Sequence, residues 1–281
     1  MTDPRTNTLA RLRGTIDRLA NGVAADARHA PLGYVEADAA LGGGLMLGEM
    51  HEMFTEGRHA ATATGFVAGL AQRIAARRPL LWVRQDFSAR ENGDLSMSGL
   101  AELGLDPRCL VVVRAKNAES ALRVVADGLA CNALGSVVAE IWGETRAFDL
   151  VASRKLTLAA QQSGVTALML RIAAVPAVST AETRWIVRAA HSPPRVEAWG
   201  APVIDTTLVR NRHGPTGQWI MEWNCDECRF REPQAYPQPL AAAPADRSHQ
   251  TGEGAPRRAA RHASSDRRRQ GEQRAANLRA R

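Results

Sequence analysis

Between residues 31 and 233 the chain alternates short apolar runs with longer stretches in which apolar positions recur every three or four residues. That alternation predicts βαβ units assembled into a mostly parallel sheet. The runs 49–54, 79–86, 109–114, 135–141, 165–172 and 184–190 read as strands, and 60–77, 98–103, 118–131 and 149–163 as helices. A hairpin closes the pattern, because 203–212 and 218–223 are β-rich and are separated by His213, Gly214, Pro215, Thr216 and Gly217. Trp219, Met221 and Trp223 alternate along its second strand and so share one face, read as core, with a base-stacking platform as the competing use.

Two flanking segments differ. Leu9, Leu12, Ile16 and Leu19 line one side of a short amphipathic helix that Gly22 closes; this stripe either packs on its own domain or docks onto another subunit. Beyond residue 232 the chain turns to Pro, Ala, Arg, Ser and Gln with few aliphatic anchors, too few to offset the entropy of ordering, so disorder is expected. The division is therefore an N-terminal helix and linker over 1–30, an α/β domain over 31–232 and a disordered Arg-rich tail over 233–281.

Charge sharpens that division. From Pro237 onward ten arginines stand against four carboxylates, a surplus of +6 out of the chain's net +7, so the basic balance describes the tail and not a cleft. No run approaches the roughly 20 apolar residues of a spanning helix and no secretory pattern opens the chain, so a cytoplasmic protein with no membrane partner is expected. Cys109, Cys131, Cys225 and Cys228 then read as free thiols. The Cys225-x-x-Cys228 spacing is half a zinc knuckle without a second pair, and His51, His59, His191 and His213 show no ligand spacing, so no metal is expected. No serine sits in a nucleophile elbow.

The segment LGGGLMLGEMHEMF, residues 41–54, resembles the entry to the nucleotide site of the RecA/RadA family, whose first core strand runs into G-x-x-x-x-G-K-[ST]. Here the next residues are Thr55, Glu56, Gly57, Arg58, His59, Ala60, Ala61 and Thr62. Thr55 and Ala60 fall on the glycine positions, Ala61 falls on the lysine, and only Thr62 survives. Glycines let backbone N–H groups wrap a phosphate and the lysine neutralises it, so methyl groups remove both functions. The chain has only two lysines, Lys116 and Lys155, and neither follows a glycine loop. Gln85 or Asp86 stands near the place of the family's water-orienting glutamate, and Glu140 stands where a magnesium-holding aspartate belongs. The degenerate nucleotide site thus comprises Thr55, Gly57, Ala60, Ala61, Thr62 and Glu140; catalytic residues and a cofactor are not expected.

Taken with SVVAEIWGE, ASRKLTLAAQQSGVTALMLR, TRWIVRAA and LVRNRHGPTGQWIMEW, this segment resembles the ImuA family of RecA-like proteins, over residues 9–232. The resemblance implies a component of a damage-inducible translesion mutasome, partnered by a Y-family-polymerase-like subunit of the ImuB type and by RecA. It implies a subunit-facing role for Arg210 and Arg212, at the place of a paired-lysine strand in RecA, against which stands a charged hairpin edge. The two DNA-gripping loops of RecA are short here, 143–148 and 173–180; Arg146, Arg154, Lys155 and Arg171 beside them are the candidate phosphate contacts, and the basic tail is a second route to DNA. A non-catalytic adaptor is the favoured function. The alternatives are a DNA-stimulated ATPase with an atypical site and an SOS cell-division inhibitor. An adaptor is expected to tolerate Glu140→Ala.

Overall fold

The computed structural model describes residues 29–192 and 200–233. The stripe of Leu9, Leu12, Ile16 and Leu19 and residues 234–281 of the arginine-rich tail lie outside the described residues. The first half runs β1 (His29–Ala30), α1 (Val35–Ala40), β2 (Leu45–Met46), β3 (Met50–Thr55), α2 (Ala60–Ala75), β4 (Leu80–Gln85), α3 (Asp86–Asn92), α4 (Met97–Glu102) and β5 (Leu110–Ala115). It continues with α5 (Ala118–Leu129), β6 (Ser136–Trp142), α6 (Leu150–Ser163), β7 (Thr166–Ile172), β8 (Thr183–Ala189), β9 (Val203–Asn211), β10 (Gly217–Asn224) and β11 (Arg229–Arg231).

The expected α/β core is present, every predicted strand and helix within it ending within two residues of the expected position. Helix α2 stops short of residue 77 because Ala76 and Arg77 take φ values of 46° and 73°, which break the right-handed turn. α1, α3, β1, β2 and β11 were not foreseen, since none is long enough for a period to show. Helix α6 is held at its start by the Asp149 carboxylate, which accepts from the Ala152 N–H at 2.7 Å, and is closed by Gly164 at φ 75°.

One sheet of nine strands runs in the order β11-β10-β9-β8-β3-β7-β6-β4-β5. From β8 to β5 neighbours are parallel, while β9, β10 and β11 add on as antiparallel strands. Helix α2 covers one face, packing on Met53, Trp82, Leu168, Leu170 and Trp185; α5 and α6 cover the other, against Val83, Ile141 and Met169. Burial on both faces is why the central strands read as unbroken apolar runs. Met221 and Trp223 are buried and Trp219 packs beside them, so that face of β10 is core.

The glycine run works at the far end of β3 from the expected phosphate. Gly42, Gly43 and Gly44 have φ values of 70°, 119° and 129°, and a Cβ on Gly44 would lie 2.4 Å from the Ala30 carbonyl oxygen. Only glycine lets this turn bring β2 against β1.

Polar groups inside β3 are paired. Glu52 accepts from Ser179 Oγ at 2.8 Å and Arg184 Nε at 2.9 Å. His51 donates from Nε2 to the Met46 carbonyl at 2.9 Å, which leaves Nδ1 to accept from the Thr183 hydroxyl at 2.8 Å. Burial therefore favours the neutral ring and holds its pKa down to about 4. The unfolded imidazole takes a proton near its ordinary value of about 6.5, whereas the folded one does not until about 4. Stability is thus complete above about pH 6.5 and is lost as pH falls toward 4, by about 3 kcal/mol from this residue. Urea midpoints at pH 7, 5.5 and 4 should fall less steeply for His51→Gln than for wild type; parallel curves would remove His51 from the acid sensitivity.

Candidate functional site

Open parallel sheets bind ligands beyond the carboxyl ends of their strands. At that end of β3, Thr55 lies level with Ile172 of β7, which is itself level with Trp142 of β6. Only Glu56, Gly57, Arg58 and His59 separate β3 from α2. Gly57–His59 close into a single 3-10 turn: the His59 N–H donates to the Glu56 carbonyl at 2.9 Å, and the Ala60 N–H donates to the Gly57 carbonyl. Two donors that a phosphate loop would aim into an open nest, those of His59 and Ala60, are here spent on the turn itself.

Sterics and charge reinforce this closure. Trp142 lies against Gly57 so closely that an added Cβ would come within 3.2 Å of its ring. Glu56 places a carboxylate at the mouth, paired with Arg58 at 2.7 Å and Arg188 at 3.7 Å. Thr55 Oγ1 donates to the Val187 carbonyl at 2.8 Å, Ala60 is buried, and Ala61 is exposed on the first turn of α2. Thr62 is half-buried in the same turn. Alongside lies a cleft of about 580 Å³, walled by Ala61, Thr64, Leu95 and Leu100, with Arg58 on its rim and Arg84 at its base.

Arg84 is not available to a ligand in that cleft. Glu140 is fully buried and accepts from Trp82 Nε1 at 3.0 Å, Arg84 Nε at 2.9 Å, Arg84 Nη2 at 2.8 Å and Ser88 Oγ. The remaining Arg84 Nη1 donates to the Gly93 carbonyl at 3.0 Å. The carboxylate in the magnesium position is therefore the hub of a buried ion pair that ties β4, β6 and α3 together. Gln85 and Asp86 are occupied too: Gln85 Oε1 accepts from the Trp142 N–H at 3.2 Å, and Asp86 pairs with Arg114 at 3.1 Å.

Sequence reading missed Arg84, Ser88, Trp82 and Glu56. Arg84 had a signal, since a lone arginine in the apolar run LLWVRQ and a lone glutamate in SVVAEIW must find partners if both strands are central. Their register places them side by side.

The remaining candidates do not form one surface. Arg146, Arg154 and Lys155 are exposed, the last two on α6. Arg171 is only 5% exposed; its guanidinium lies 5.1 Å from the Phe148 ring centre and 5.8 Å from that of Phe54, and Nη2 reaches the Gly143 carbonyl at 3.3 Å. Arg210 donates to the Ser179 carbonyl at 2.9 Å, and Arg212 is exposed beyond the last β9–β10 pair, Leu208 with Gly217. Among the described residues no group of three His, Cys, Asp or Glu side chains is placed to hold a metal, and no helix is long and apolar enough to cross a membrane.

The fold and this end of the sheet define an α/β protein of the mostly parallel, helix-flanked class whose first strand enters its helix through a closed turn. No family model matches the chain. Protein ImuA of Caulobacter vibrioides is 30% identical over 198 residues, in strain NA1000 / CB15N and in strain ATCC 19089 / CIP 103742 / CB 15 alike. The match covers 64% of this chain and 77% of the relative. The chain belongs to the ImuA family.

The ion pair alters what one substitution reports. Glu140→Ala, expected above to be tolerated by an adaptor, leaves a buried guanidinium without its counter-charge and should cost about 3–5 kcal/mol of stability. Pairing it with Arg84→Met should recover most of that loss. Urea unfolding of the single and double variants reads this directly; an unchanged midpoint for Glu140→Ala would show that the carboxylate is not the hub.

Proposed function

We propose that the chain is a non-catalytic accessory protein of SOS-induced translesion synthesis. In this reading it acts as an adaptor between a Y-family-polymerase-like subunit of the ImuB type and the damage site, where RecA and DNA are found. Membership of the ImuA family supports a role in damage-inducible mutagenesis. The observation that carries the non-catalytic reading is the closed turn between β3 and α2, in which backbone donors face their own carbonyls and a glutamate stands at the mouth. Glu56 engages the two arginines at the mouth, Arg58 and Arg188, and no lysine follows the turn to neutralise the phosphates of magnesium-ATP. The carboxylate that would hold the metal is already saturated by four donors.

Two measurements test this. Calorimetric titration of the full chain with magnesium-ATP should give no binding heat, and hydrolysis should stay at background with or without single-stranded DNA. Deleting the gene should lower damage-induced mutation, and a copy carrying Ala61→Lys should restore it fully. Saturable ATP uptake with DNA-stimulated turnover would replace the adaptor by an ATPase with an atypical site. Filamentation on overexpression without damage, with mutation frequency unmoved by deletion, would replace it by a division inhibitor.

A further inference from the structure

Helix α6 carries two stripes on opposite sides. Ser153, Leu156, Thr157 and Ala160 are buried, whereas Val151, Arg154, Lys155 and Leu158 are exposed. Each set follows the i, i+3, i+4, i+7 spacing of one helix face, and the two faces are about 200° apart at roughly 100° per residue. The inward hydroxyls are settled: Ser153 Oγ donates to the Leu150 carbonyl at 2.9 Å, and Thr157 bonds Thr180 at 2.8 Å. The outward stripe therefore pairs Val151, 60% exposed, and Leu158, 45% exposed, with two cations, while two of the four inward side chains bear hydroxyls. Leu150, 50% exposed, extends the apolar surface at the first turn.

A groove of about 200 Å³ lies between α5 and α6, lined by Leu122, Ala126, Ala147, Ala152 and Leu156 together with the paired Glu119 and Arg123 and with Lys155, the stripe residue that borders it. Scattered exposed apolar residues need no explanation, but an apolar groove that meets a half-apolar helix stripe at Lys155 offers an interaction surface. Charge decides what fits. No ion pair engages Arg154 or Lys155 among the described residues, and Arg123 is shared only with Glu119. The chain's own stripe of Leu9, Leu12, Ile16 and Leu19 is flanked by Arg11, Arg13 and Arg18, and its tail is basic, so both are repelled. A second copy would bring the same cations. Single-stranded nucleic acid stacks on aromatic rings, and none lines this groove or stripe.

We propose that the outer face of α6 and the α5–α6 groove dock an amphipathic helix of a partner protein, apolar along one stripe and acidic on its flanks. Helix-in-groove recognition uses such i, i+3, i+4, i+7 anchors, and Arg154 and Lys155 set its orientation by charge. This inference rests on the adaptor reading and supplies the adaptor with one of its contact surfaces.

The probe is a fluorescein-labelled synthetic helical peptide with leucines at i, i+3, i+4 and i+7 and glutamates on both flanks, titrated with the full chain by fluorescence anisotropy. Saturable binding is expected, weakened about tenfold or more by Val151→Asp with Leu158→Asp, as when central anchors are lost. Arg154→Ala with Lys155→Ala should weaken it less, and the control Val35→Asp, at the exposed first position of α1, should not change it. Thermal midpoints of all variants should match wild type, because every substituted side chain is exposed. Failure of the peptide to bind, equal binding by the Val151/Leu158 variant, or equal binding of a lysine-flanked version would overturn the proposal. So would single-stranded DNA that binds here and is lost with Arg154 and Lys155 but not with Val151 and Leu158. In cells the two readings separate: if the Val151/Leu158 variant restores damage-induced mutation that gene deletion abolishes, this face is wrong while the adaptor stands. Magnesium-ATP uptake with turnover would instead overturn the adaptor whatever the peptide does.

Discussion

The buried pair of Arg84 and Glu140 is the interaction on which the carboxyl end of the sheet depends. Two full charges lie on adjacent central strands away from water, where each would be intolerable alone. Their geometry leaves little unsatisfied: a two-pronged guanidinium–carboxylate contact, a tryptophan N–H and a serine hydroxyl on the acid, and a carbonyl on the spare nitrogen. Such pairs add little net stability compared with a packed apolar core, but losing one partner is costly. The pair therefore acts mainly on specificity. It holds β4 in register with β6, seats α3 through Ser88, and anchors the turn at Gly93.

The same interaction decides what this end of the sheet can do. A magnesium site needs a carboxylate with free lone pairs facing an open cavity, and Glu140 has neither to spare. The neighbouring turn is committed in a parallel way, the His59 and Ala60 N–H groups bonded to its own carbonyls and Glu56 paired with Arg58 and Arg188. Both features belong to one arrangement, because Trp142 follows Glu140 closely on β6 and fills the space against Gly57. The core keeps its packing whatever the chemistry of this turn, since it needs the strands and helices and not the loop between them.

Most of the architecture was legible in the sequence. Apolar runs flanked by helical periods located all the central strands, and alternation in Trp219, Met221 and Trp223 assigned a core face correctly. Elements of only two to seven residues escaped, among them α3, although its Ser88 completes the coordination of Glu140. The glycine run was legible as a turn feeding the first core strand, but the reason for it was not: Gly44 is required by the close approach of the Ala30 carbonyl, a contact between segments that no local pattern announces. Arg171, a candidate phosphate contact in the sequence, is enclosed beside Phe54 and Phe148, since the charge of a residue on a strand end does not tell which loop folds over it.

The distribution of satisfied and unsatisfied groups separates interior from surface. Catalytic sites hold titratable groups whose burial is only partly compensated, because reactivity requires an unfilled valence toward substrate. Along the central strands Glu52, Glu140 and His51 are instead fully engaged by neighbours within the domain. Inside, Ser136 Oγ and Arg171 Nε have no hydrogen-bond partner among the described residues; outside, Arg154 and Lys155 are interleaved with Val151 and Leu158 on a helix whose two ends are fixed by Asp149 and Gly164. On the adaptor reading proposed above, such a capped helix face would hold another macromolecule in a defined orientation, since a surface pinned at both ends loses little entropy when a partner closes over it.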